Sequence, residues 1–170
     1  MLCPSCGSTN LPGADSCTAC QLSLTALDGP TPADKVEVSL MADTVAVLEP
    51  KPPVMILADS PLDTAVAAMM SHGVGALLVT GPDRSLVGIL TERDFLTKIA
   101  GHAELDRRPV REFMTANPET VAPTDLLAFA LRKMDIGGYR HLPVVEDGHP
   151  VGVISIRDIL KHVTKLCRDN

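Results

Sequence analysis

From Val54 onward the chain is built of short apolar runs separated by turn residues. Ala76 to Thr80 and Leu86 to Leu90 flank Gly81-Pro82-Asp83; Leu142 to Val145 and Val151 to Ile156 flank Glu146-Asp147-Gly148. Apolar runs this short, bounded by Gly, Pro and Asp, read as β-strands joined in hairpins. A helical stretch precedes each hairpin. Ser60-Pro61-Leu62-Asp63 offers an N-cap, a proline at the first helical position and an acid, and Thr124-Asp125 does similar work before Leu126 to Met134. Gly73 and Gly75, and later Gly137 and Gly138, end these helices. A short extended stretch comes before each (Val54 to Leu57; Glu119 to Val121). Closing helices follow the hairpins, from Asp94 to about Ala100 and from Asp158 to about Cys167.

The order strand, helix, strand, strand, helix therefore occurs twice, and the two copies are in register. Gly88 and Gly152, Asp94 and Asp158, Leu62 and Leu126, and Met70 and Met134 all lie 64 residues apart. A unit found twice predicts a pseudo-twofold pair, whereas solenoids need three or more. The predicted fold is α/β (α+β), two such units packed as one module, 54–108 and 109–170. Residues 1–22 form a cysteine unit, and 23–53 a linker. Asp28-Gly29-Pro30-Thr31-Pro32-Ala33-Asp34 is linker chemistry. Lys35 to Leu48 reads as a short lead-in helix stopped by Pro50, Pro52 and Pro53.

Composition narrows the chemistry. With 170 residues, 45% of them hydrophobic and 2% aromatic, the core must be aliphatic, and no aromatic base-stacking surface is available. A net charge of −6 argues against a surface given over to nucleic acid. No membrane span or signal peptide is expected, which places the chain in the cytoplasm.

Four of the five cysteines stand in the first twenty residues, as Cys3-x2-Cys6 and Cys17-x2-Cys20. In a reducing compartment this reads as four thiolate ligands around a tetrahedral metal, two knuckles closing one site. Pro4 and Gly7 supply the first tight turn. The spacing resembles a miniature zinc ribbon. Iron is the rival metal, but paired-knuckle iron sites of the rubredoxin kind have an aromatic core, and no aromatic residue precedes Phe95. Four protein ligands leave no open position, so the metal is expected to be structural. The first 34 residues contain no Lys or Arg, so protein contact is expected there in preference to nucleic acid. Cys167 has no assigned role. His72, His102, His149 and His162 lack acids or thiols at metal-ligand spacing.

The remaining chemistry sits at the end of each second hairpin strand, in Gly88-Ile89-Leu90-Thr91-Glu92-Arg93-Asp94 and Gly152-Val153-Ile154-Ser155-Ile156-Arg157-Asp158. One Ser/Thr-x-x-Asp alone is a capping box. Two in the same strand context, each with Arg before Asp, point further. A carboxylate in a helix's first turn can accept both hydroxyls of a ribose, and the nearby hydroxyl and free amides suit a phosphate. Asp94 and Asp158 are the expected ribose anchors, Thr91 and Ser155 their hydrogen-bonding partners, and Arg93 and Arg157 candidate phosphate contacts.

Residues 54 to 165 resemble a tandem pair of cystathionine β-synthase (CBS) domains. The resemblance rests on the doubled Gly-h-h-Thr/Ser-x-x-Asp motif, Met114-Thr115 ahead of the second unit, and His141-Leu142-Pro143-Val144-Val145. It implies a pseudo-symmetric disc whose central cleft binds AMP, ADP, ATP or S-adenosylmethionine, and a homodimer. It also implies an adenine ring lying on backbone at Pro118 to Val121 (Thr120, Val121) for one site and Pro53 to Ile56 (Val54) for the other. Aligning the strands that follow the first helices sets Gly75-Ala76 opposite Arg140-His141, so only the Asp158 site is expected to carry basic side chains there.

No Gly-x-Ser-x-Gly elbow, phosphate-loop lysine or His-Glu helix pair is present, and the chain reads as a regulatory binding module and not an enzyme. Two other readings stand beside it. One is a nucleic-acid-associated regulator using the ribbon and Arg107-Arg108-Arg111; the other is a purely structural interaction module with an unknown protein partner.

Overall fold

The computed structural model describes residues 1–11, 13–24, 34–99 and 107–168, which leaves residues 25–33 of the predicted linker, Ala100 and His102 outside the described residues. The chain divides into two compact units, one of residues 1–49, 121–142 and 154–170, the other of residues 50–120 and 143–153.

The second unit holds a four-stranded sheet in the order β1 (Met55–Leu57), β2 (Ala76–Thr80), β3 (Leu86–Thr91), β4 (Thr115–Ala116). The β1 and β2 strands are parallel, joined by helix α2 (Leu62–His72), and the other pairings are antiparallel. Every residue of β2 is buried. One face of the sheet packs Leu77, Val79 and Leu90 with Ile56, Leu62, Ala65 and Met69 of β1 and α2, together with Val110 and Phe113. Leu78 and Ile89 alternate to the other face, where Val153 lies against them. Past β3 the chain turns directly into α3 (Glu92–Asp94), which continues with π geometry over Phe95–Ile99.

The first unit holds the cysteine module and the helices α1 (Lys35–Ala42), α4 (Leu127–Gly137) and α5 (Ile156–Arg168), which touch one another. Val45, Leu127, Ala130 and Ile159 are among its buried side chains. The hairpin strands β5 (His141–Glu146) and β6 (His149–Ser155) turn at Asp147 and Gly148, both with positive φ, the geometry of a two-residue type I′ turn. The last turns of α2 and α4 end on left-handed Gly73 and Gly138, as their sequence predicts.

Three expectations need correction. The lead-in segment is not one helix, because α1 stops at Ala42 and a 3₁₀ turn spans Val45–Leu48. No strand forms at Glu119 to Val121, where Val121 makes a single bridge only. Neither Ser60 nor Thr124 caps a helix: Pro61 and Leu126 occupy the cap positions with no side-chain bond. Distant backbone does that work. The amide of Leu62 donates to the Arg108 carbonyl and that of Leu127 to the Asp43 carbonyl, each at 2.9 Å. A first-turn amide satisfied by a carbonyl from another segment does not need a hydroxyl.

Candidate metal and nucleotide sites

The cysteine module is itself a small repeat. Leu2 bridges Thr9 and Ser16 bridges Ser23, and in each knuckle the first cysteine carbonyl accepts an amide four residues on, Gly7 to Cys3 at 2.8 Å and Gln21 to Cys17 at 2.9 Å. Gly7 and Gln21 both take left-handed backbone. Gly7 is legible in the sequence; Gln21, a residue with a Cβ, is not. The fold brings the four Sγ atoms within 4.8 Å of one another. The separations Cys3 to Cys20, 3.6 Å, and Cys6 to Cys17, 3.5 Å, approach the roughly 3.8 Å edge of a tetrahedron with metal–sulfur bonds of about 2.3 Å. Cys3, Cys17 and Leu24 form the module's buried centre.

Asn10, which is buried, fastens the second knuckle. Its Oδ1 accepts the Thr18 amide at 3.0 Å and its Nδ2 donates to Cys17 Sγ at 3.5 Å. As bare thiols Cys17 and Cys20 are unequal. Amide donation from Cys20 leads the effects that hold Cys17 down to about 6. The Leu22 amide works to lower Cys20, but burial and the neighbouring thiols outweigh it and push that group up to about 11. Such a cluster is suited to a cation that takes all four as thiolates.

The two Gly-to-Asp signatures have nearly the same local geometry. Oδ2 of Asp94 accepts the Thr91 amide at 2.8 Å and its hydroxyl at 2.6 Å; Oδ2 of Asp158 accepts the Ser155 amide and hydroxyl at the same two distances. The glycines admit a crossing strand. A Cβ on Gly88 would lie 2.4 Å from Met114 Sδ and 3.1 Å from the Thr115 carbonyl; one on Gly152 would lie 2.7 Å from Pro50 Cβ. Pairing repeats this symmetry, with Ile89 opposite Thr115 and Val153 opposite Lys51. Thr115 and Ala116 thus run beside β3 and Lys51 beside β6, while the Val54 carbonyl accepts the Leu78 amide of β2 at 3.0 Å.

The other oxygen of each carboxylate differs. Asp94, 6% exposed, turns Oδ1 to the Lys98 ammonium at 2.7 Å, with Thr115 Oγ1 at 3.5 Å. Burial works to raise its pKa but is outweighed by Lys98 and Thr91, so the carboxyl sits below its ordinary value. Asp158 is half-buried, and among the described residues its Oδ1 has no partner. Lys98 escaped the sequence reading, although its i+4 spacing from Asp94 is the available signal.

The carbonyls of Gly75 and Arg140 accept the amides of Glu92 and Ile156, at 3.1 and 3.0 Å, so the alignment that pairs Gly75 with Arg140 holds in the fold. Where the second repeat has exposed Arg140 and half-buried His141, the first has Gly75 with the Glu92 carboxylate packed against it, 3.2 Å from where a Cβ would stand. Arg93 and Arg157 are exposed, Thr120 and Val54 are half-buried, and Val121 is buried. In the arginine cluster, Arg108 pairs with Glu112 and covers the Phe113 ring, and Arg111 pairs with Asp59, so two of the three cations are already matched by acids. No helix among the described residues is long and apolar enough to cross a membrane.

Residues 47–101 and 110–165 each match the CBS domain family. The Arabidopsis thaliana CBS domain-containing protein CBSCBSPB5 is 45% identical over 98 residues, covering 57% of this chain and 17% of its own length. The chain thus spans less than a fifth of that relative. The crystal structure of the CBS domain protein NE2398 superposes with a TM-score of 0.68 at 34% identity, covering 72% of this chain and 98% of its own. The CBS domain protein PAE2072 from Pyrobaculum aerophilum, whose structure is a complex with AMP, gives 0.64 at 30% identity, covering 72% and 98%. The chain belongs to the CBS domain family, as a tandem pair of repeats preceded by a four-cysteine module.

Proposed function

We propose that this protein is a non-catalytic regulatory module that binds adenine nucleotides at its two Gly-to-Asp signatures. The doubled carboxylate geometry carries the reading: Asp94 and Asp158 are each fixed by a hydroxyl and an amide at the mouth of a helix, where a ribose diol and a phosphate can be received. The AMP bound to the 30% identical relative supports the ligand class. AMP, ADP and ATP are the primary candidates and S-adenosylmethionine the secondary one. Thr91, Ser155, Arg93, Arg157, Arg140 and His141 serve phosphate or ribose, and the backbone near Val54, Thr120 and Val121 receives adenine. A ligand of this kind regulates by binding one arrangement of the protein better than another.

Cys3, Cys6, Cys17 and Cys20 hold zinc in this reading, because four thiolates closing a tetrahedron favour it over iron. The metal supplies binding energy that fixes the knuckles. The module then serves a protein contact. A homodimer in the cytoplasm is the setting that fits reduced thiols and paired CBS repeats.

Calorimetry of the zinc-loaded chain against AMP, ADP, ATP and S-adenosylmethionine tests the reading. Sub-millimolar binding that weakens in Asp94→Ala or Asp158→Ala is expected. Absence of binding by every adenosine ligand would leave the purely structural interaction module. Metal analysis should return one zinc per chain, lost in Cys17→Ser.

A further inference from the structure

The two signatures share one geometry, yet the residue four positions after each aspartate behaves differently. In the first repeat this is Lys98, whose Nζ lies 2.7 Å from Asp94 Oδ1 and is held there by the Phe113 carbonyl at 3.0 Å and Thr115 Oγ1 at 3.2 Å. With Thr91 on Oδ2, both oxygens of Asp94 are engaged. In the second repeat the equivalent residue is His162, whose Nε2 bonds Ser39 Oγ at 2.7 Å. It is drawn away from Asp158, whose Oδ1 stays open among the described residues.

A ribose diol donates its protons to a carboxylate, so a ligand at Asp94 must first displace an ammonium ion from a buried anion. A neutral nucleoside offers that ammonium only uncharged acceptors and no anion in return. A phosphate offers it a charge-assisted partner. Lys98 is 40% exposed, so its side chain can swing to such a partner without leaving a buried site.

Resting on the nucleotide-binding reading above, we propose that Lys98 is the specificity-determining residue of the Asp94 site. It closes that carboxylate to unphosphorylated adenosine and yields it to ligands whose phosphate takes the ammonium. The Asp158 site carries no such guard and accepts adenosine with its ribose unopposed.

The test isolates the Asp94 site in an Asp158→Ala background, with Asp158→Asn as the alternative should the first variant misfold, and titrates adenosine and AMP by calorimetry. AMP is expected to bind tighter than adenosine by about tenfold or more, the equivalent of one charge-assisted hydrogen bond. Adding Lys98→Met, or Lys98→Gln as a polar control, should bring the two affinities together by strengthening adenosine and weakening AMP. Equal affinities before Lys98 is changed, or a preference that survives its removal, overturn the proposal and leave the nucleotide reading standing. Failure of the unmodified protein to bind either ligand overturns both.

Discussion

Nε2 of His162 stands 2.7 Å from Oγ of Ser39, and this contact ties α5 to α1. The hydroxyl gives its one proton to Asp43 Oδ2 at 2.5 Å, which leaves it to accept from the imidazole N–H. Ser39 is 5% and the His162 side chain 15% exposed, so the bond between them is largely shielded from water, while the Asp43 carboxylate stays 42% exposed. Ser39→Ala is expected to lower stability by about 1–2 kcal/mol, the cost of stranding part-buried partners. Urea unfolding measures this, and a variant that unfolds with the wild type would show that the tie adds nothing.

The motif glycines predict an ordered pair of costs. An alanine Cβ at Gly88 meets chiefly the flexible end of Met114, whereas at Gly152 it meets the Pro50 ring, which cannot turn aside. Gly152→Ala should therefore destabilise more than Gly88→Ala, both within the roughly 1–3 kcal/mol range of overpacking. Thermal melts of the two variants side by side decide the order, and its reversal would contradict the packing described.

Asn10 reaches Cys17 Sγ and Thr18 without being a ligand. Outer hydrogen bonds of this kind orient metal ligands, so Asn10→Ala should weaken metal affinity by about 10–100-fold while all four thiols remain. Competition with a chromophoric chelator reads the change. Unaltered affinity would make Asn10 merely a piece of the module's core.

Asp94 has a depressed pKa, so its ionised form stabilises the fold above the ordinary carboxylate value, and that contribution is lost as pH falls through the depressed one. Lys98 is a principal cause. The stability difference between wild type and Lys98→Met should therefore be present at neutral pH and shrink on acidification below about 3.9, the ordinary aspartate value. Denaturant midpoints across the acid range provide the measurement; a difference that grew towards low pH would have the wrong sign for an Asp94 ion pair.

Arg140 stands one residue before β5 with its side chain exposed, while its carbonyl accepts the Ile156 amide at the start of α5. Since only the side chain is lost in Arg140→Ala, the substitution should weaken ATP more than adenosine at the Asp158 site. Calorimetry in an Asp94→Ala background separates the two. Equal weakening would remove the phosphate role from Arg140.

The sequence alone determined the features that local chemistry controls. Turn residues at Gly81-Pro82-Asp83 and Asp147-Gly148, glycine ends at Gly73 and Gly138, the 64-residue register and the four metal-spaced thiols all appear in the fold where their residues place them. Each depends on φ preferences, hydrophobic period or ligand type, which a short segment carries within itself. Tertiary structure decided what depends on a distant partner. The starts of α2 and α4 use carbonyls of Arg108 and Asp43 in place of their own hydroxyls, and Gln21 takes a left-handed turn that its side chain does not favour. Lys98 and His162 occupy equivalent positions, yet one neutralises Asp94 and the other turns to Ser39, because a long side chain is fixed by the polar group it can reach in space. That choice makes two nearly identical motifs into unlike sites.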